Sequence, residues 1–63
     1  MTDAARRAAF LDQLNVVSNA TYHRLSELDR RYREVGSDDP MIQARHAAVR
    51  HELRRRGYIV TTD

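Results

Sequence analysis

The chain has 63 residues, no cysteine and a net charge of +2 with its histidines neutral. The lack of cysteine excludes disulfides and a thiol nucleophile. No Cys/His cluster has zinc-finger spacing, and no apolar run approaches the ~20 residues needed to span a bilayer. A domain this small is marginal alone, so we expect a partner chain to stabilise it, and the lack of a signal-peptide apolar core favours the cytoplasm.

The first predicted element is one long amphipathic helix over residues 3–35. Thr2 or Asp3 can cap its start, and Gly36 can end it in a left-handed conformation. Side chains of one stripe recur at steps of three and four, which a period of 3.6 places on a single helix face. The stripe consists of Phe10, Leu14, Val17, Thr21, Leu25, Leu28, Tyr32 and Val35, with Leu11 beside its start.

The weakest part of this helix is the segment 15–19, whose sequence Asn-Val-Val-Ser-Asn is a run of poor helix formers. The stripe keeps its phase across the segment, which favours one continuous helix with a bend. A break near Ser18 is the alternative. Residues 3–16 would then fold back as the third helix of a monomeric bundle.

A second helix is predicted over residues 40–56, after a turn at 36–39. Asp38 or Asp39 can cap its start. Its narrow apolar stripe consists of Ile42, Val49 and Leu53. The tail 57–63 has β character and is predicted to be extended. The whole chain is therefore expected to be one all-α domain over residues 1–63, a helical hairpin with a long first helix.

The unequal lengths of the two predicted helices indicate a partner. A 33-residue helix is ~50 Å long and a 17-residue helix ~25 Å, so the second helix cannot cover the first half of the stripe. Each large apolar side chain left in water forfeits ~1.5–3 kcal/mol. The sequence thus predicts a homodimeric four-helix bundle, or a helical protein partner. The predicted protein interface consists of Phe10, Leu11, Leu14, Val17, Thr21, Leu25, Leu28 and Tyr32.

The charge distribution supports an alternative function. Residues 41–63 carry five Arg against two acidic residues, whereas residues 1–40 carry six against seven. An Arg-rich helix face can lie on phosphate, so a small DNA-binding regulator is the alternative hypothesis. Its possible nucleic-acid contacts are Arg45, Arg50, Arg54, Arg55 and Arg56. The two aspartates at the predicted helix start disfavour base contacts there.

Catalytic and metal sites are not expected. His23 and Glu27 are four residues apart and could share a metal, but two ligands make a weak site and no HExxH pattern is present. Two helices also offer little of the concavity that a small-molecule site needs. The sequence predicts a non-enzymatic interaction or regulatory module, of the kind found among small bacterial or phage regulators, with no cofactor, metal or small-molecule substrate.

Overall fold

Three helices make up the part of the chain that the structure describes, residues 2–58 of a computed structural model. They are α1 (Asp3–Val17), α2 (Tyr22–Val35) and α3 (Pro40–Arg55). No strand occurs within residues 2–58, and the all-α prediction is confirmed. Most of the predicted extended tail, residues 59–63, lies outside the described residues.

The predicted single long first helix is wrong, because the chain turns between Val17 and Thr21. The Ser18 hydroxyl donates back to the Asn15 carbonyl at 2.9 Å. Thr21 is extended (φ −71°, ψ 159°), and its hydroxyl oxygen accepts from the Arg24 amide at 3.2 Å. A threonine cap accepts from a backbone N–H that has no partner within the helix. Thr21 of the predicted stripe therefore begins a new helix, and the alternative of a break near Ser18 is confirmed.

The second connection is as predicted. Gly36 has φ 56° and ψ 37°, the left-handed conformation that glycine adopts without a Cβ clash, and it ends α2. Asp39 caps α3 by accepting from the Met41 amide at 2.9 Å, and Pro40 is the first helical residue.

Helix α3 lies between the other two helices, which hardly contact each other. It is antiparallel to α2, because the Tyr22 ring meets Tyr58 while the Tyr32 ring stacks on His46. The described part of the chain measures 31 × 23 × 16 Å. Depressions lie on either side of α3, between α3 and α1 on one side and between α3 and α2 on the other.

The core sits where α1 ends and α2 begins. Its buried residues are Val17, Leu25, Val49 and Leu53, against which Leu14, Ala20, Leu28 and Tyr32 pack. Helix α1 therefore folds back onto α3, and the chain itself covers much of the stripe. The uncovered overhang from which the dimer was predicted does not exist, because the first helix is half as long as expected.

Candidate functional site

The structure places some of the predicted interface residues in the core and others on the surface. Val17 and Leu25 are fully buried within the chain, so this fold leaves them no surface for a partner. Thr21 is the cap of α2. Four more residues are half-buried: Phe10, Leu14, Leu28 and Tyr32. Leu11 differs from all of these, because 53% of it is exposed. Among the predicted interface residues, Leu11 is the large apolar residue that the fold exposes to solvent.

Leu11 lies on a groove between α1 and α3, in which two depressions follow one another along α1. The first, of about 390 Å³, is lined by Asp3, Arg6, Arg7, Phe10, Pro40, Gln43 and Ala44. The second, of about 340 Å³, is lined by Leu11, Leu14, Asn15, Ser18, His51, Glu52 and Arg55. We call the two together the α1/α3 groove.

An aromatic contact marks the boundary between the depressions. The rings of Phe10, which lines the first, and His51, which lines the second, meet edge to face with centroids 5.8 Å apart. Leu11 and Leu14 supply aliphatic surface next to this contact. The groove thus combines an apolar middle with polar and charged side chains at both ends, which is the usual anatomy of a protein-binding surface.

The buried carboxylate of Glu52 lies at the second end of the groove. Glu52 is 1% exposed, and its oxygens accept from Arg55 Nε at 3.1 Å and from Arg56 Nε at 2.8 Å. The hydrogen bonds from Arg55 and then from Arg56 lower the pKa of Glu52 to about 2, against the opposing effect of burial. We call these three residues the Glu52 cluster.

The Glu52 cluster also completes α1. Arg56 donates through Nη2 to the carbonyl oxygens of Val17 at 3.4 Å and Ser18 at 3.1 Å. The last turn of α1 has no basic residue of its own, so α3 supplies the cation that its terminal carbonyls favour. Sequence reasoning missed the role of Glu52, although an acid followed by Arg at +3 and +4 was a readable signal.

The five arginines of the nucleic-acid alternative do not form one exposed face. Arg55 and Arg56 bind Glu52, and Arg45 donates to Gln13 Oε1 at 3.3 Å. Arg50 is half-buried beside the cleft between α2 and α3. Arg54 is exposed and forms no ion pair among residues 2–58.

The α2–α3 contact contains a second polar cluster. The buried carboxylate of Asp29 lies 2.7 Å from His46 Nε2 and accepts from Arg33 at 2.9 Å. The His46 ring also stacks on Tyr32, with centroids 5.4 Å apart. Every member of this cluster therefore has a partner across or along the helices, and its role is to fix α2 on α3.

The weak metal hypothesis gains nothing from the described residues. No group of three or more His, Cys, Asp or Glu side chains among residues 2–58 could hold a metal ion. The Glu27 carboxylate, one of the two possible ligands, binds Arg31 at 2.8 Å instead.

Comparisons with protein-family models, curated proteins and solved structures find no significant match to this chain. Within residues 2–58, no helix combines the length and the apolar character needed to cross a membrane. Proposals about function therefore depend on the residues and geometry described above.

Proposed function

We propose that the protein is a small, non-enzymatic interaction module of the cytoplasm that binds a protein partner in the α1/α3 groove. One observation carries the proposal: Leu11 is 53% exposed at the edge of an apolar depression. Burying a leucine side chain stabilises a complex by ~1.5–3 kcal/mol. A residue of this kind in the middle of a groove, with a charged rim, has the properties of an interface anchor.

A separate partner replaces the homodimer as our first choice. The dimer was predicted from an overhang of the first helix, but α1 folds back onto α3 and so buries Val17 and partly buries Leu14 within the chain. The described residues bury four large or medium apolar core residues without a second chain. A partner is thus proposed for function, because the fold supplies its own core.

Binding to duplex DNA is the second candidate, supported by the composition of α3. This helix carries four Arg against one Glu, and Arg54 is exposed. Phosphate binding of this kind weakens steeply as salt is raised. It is the weaker candidate because Glu52 already binds two of the proposed contacts, and because α2 and α3 pack antiparallel along their length, unlike a helix-turn-helix.

The test is affinity capture from the native host with three forms of the protein: wild type, Leu11→Glu and Val16→Glu. Val16 is the matched control because it is also an exposed apolar residue of α1, at 66%. It lies five residues from Leu11, which is about 140° around the helix, and it lines neither depression.

A partner that wild type and Val16→Glu retain and Leu11→Glu loses would support the groove. Partners unaffected by Leu11→Glu would contradict it. Recovery of DNA that high salt or Arg54→Ala releases would support the second candidate instead. Circular dichroism of each variant confirms that the helices are intact before its binding is compared.

A further inference from the structure

We infer that the occupant of the α1/α3 groove is an acidic amphipathic helix of a partner protein, an inference that rests on the proposed function. The shape of the groove is the first reason. Grooves between helices commonly take an amphipathic helix, whose apolar side chains enter successive pockets. The two depressions follow one another along α1, and the contact of Phe10 with His51 lies between them.

The spacing of the depressions sets the spacing of the anchors. On α1 the first depression is lined by residues between 3 and 10, and the second by residues between 11 and 18. Their centres are about eight residues apart, which is ~12 Å at 1.5 Å per residue. An incoming helix running along the groove reaches both with apolar side chains seven or eight residues apart.

The charge of the groove sets the charge of the occupant. Its two carboxylates already bind arginine within the chain, Asp3 with Arg6 and Glu52 with Arg55. Arg7 lines the first depression, is exposed, and forms no ion pair among residues 2–58. The groove therefore has an excess of positive charge at its first end. A partner helix with Glu or Asp beside its first anchor complements this charge.

A second copy of the chain fits less well. Two grooves face to face would bring two Arg-rich α3 helices together. The exposed apolar residues of α2, Tyr22 and Val35, are 13 residues apart and so ~20 Å along the helix, too far for the two depressions. On α1, Leu11 and Val16 point to different sides.

The experiment is a selection from a displayed library of helical peptides. Each peptide carries Leu at two positions seven residues apart, and its flanking positions vary among Glu, Gln and Lys. We expect acidic flanks to be enriched. A selected peptide should lose about tenfold or more in affinity for Leu11→Glu, as the loss of one buried leucine contact predicts, and little for Val16→Glu. Arg7→Glu should reverse the preference, so that a Glu→Lys copy of the peptide binds better.

Other results would overturn the inference in distinguishable ways. Enrichment of neutral or basic flanks would refute the acidic partner and leave groove binding intact. Failure to select any helix, together with Leu11-dependent capture from the host, would show that the occupant is not a helix while the proposed function stands. Failure of both experiments would refute both proposals. A doubled molar mass that Leu11→Glu returns to that of one chain would identify a second copy as the occupant.

Discussion

Replacing Glu52 by Gln tests the energetic role of the Glu52 cluster. Glutamine keeps the size of the side chain, removes its charge and turns one acceptor oxygen into an NH₂ group that faces two guanidinium groups. Hydrogen bonds to charged groups contribute about 1.5–3 kcal/mol each. Arg55 is largely exposed, so solvent screens its pair and the pair contributes little. The buried bond to Arg56 contributes more, and we expect a total loss of about 2–3 kcal/mol.

The matched control is Glu27→Gln, because Glu27 also binds an arginine four residues later in its own helix, Arg31 at 2.8 Å, but its carboxylate is more exposed than that of Glu52. Such a pair is worth about 0.3–0.5 kcal/mol. For a domain of this size, 1 kcal/mol shifts Tm by about 4–8 °C. Thermal unfolding followed by circular dichroism should therefore show a drop of about 8 °C or more for Glu52→Gln, and only a few degrees for the control.

The pH dependence gives a second measure of the same cluster. Folding lowers the pKa of Glu52 from 4.5 to about 2, so its contribution is present above pH ~4.5 and is lost as the pH falls toward 2. Between these values the free energy of unfolding should fall more steeply for wild type than for Glu52→Gln. Equal slopes, or equal Tm losses for Glu52→Gln and Glu27→Gln, would refute the role assigned to the cluster.

Three further predictions follow from the fold. Leu25→Ala is expected to cost about 2–5 kcal/mol, which should unfold much of so small a domain; a helical signal at 222 nm that stays unchanged would show that Leu25 is not a core residue. Thr21→Ala should cost about 1 kcal/mol in urea unfolding, and Thr2→Ala at the exposed start of α1 should cost less; equal costs would contradict a special role for the internal cap. Light scattering should give a molar mass near 7.3 kDa for the isolated protein, and twice that value would restore the dimer.

The sequence was sufficient to predict a connection where the local residues allow one backbone conformation. Gly36 and Asp39 fixed the second connection because a left-handed residue and a side-chain cap both act within one turn. The first connection was harder, because the stripe kept its helical phase through Thr21. A threonine in a stripe and a threonine at a cap have the same spacing from their neighbours. Only the packing of α1 against α3 decides between them, and that contact joins residues more than 30 positions apart.

The candidate site shows the same division. The sequence selected Leu11 as part of an interface, but it could not separate Leu11 from Val17, which the fold buries completely. It also treated α3 as a row of exposed arginines. The structure pairs Arg55 and Arg56 with Glu52, three and four residues earlier in the chain, and a tally of net charge does not show this local pairing. The burial of Glu52 depends on the packing of the helices, which the sequence alone did not reveal.

The position of Arg56 affects how the chain acquires its structure during synthesis. Residues 3–17 are made before the other two helices, yet the donor for their terminal carbonyls is made 38 residues after Ser18. A nascent chain that stops before this arginine lacks that donor, and one that stops before Pro40 also lacks the whole helix on which the opening segment rests. Short helices in isolation are marginal in water, so we expect the opening segment to become stable only once nearly all of the described chain has left the ribosome.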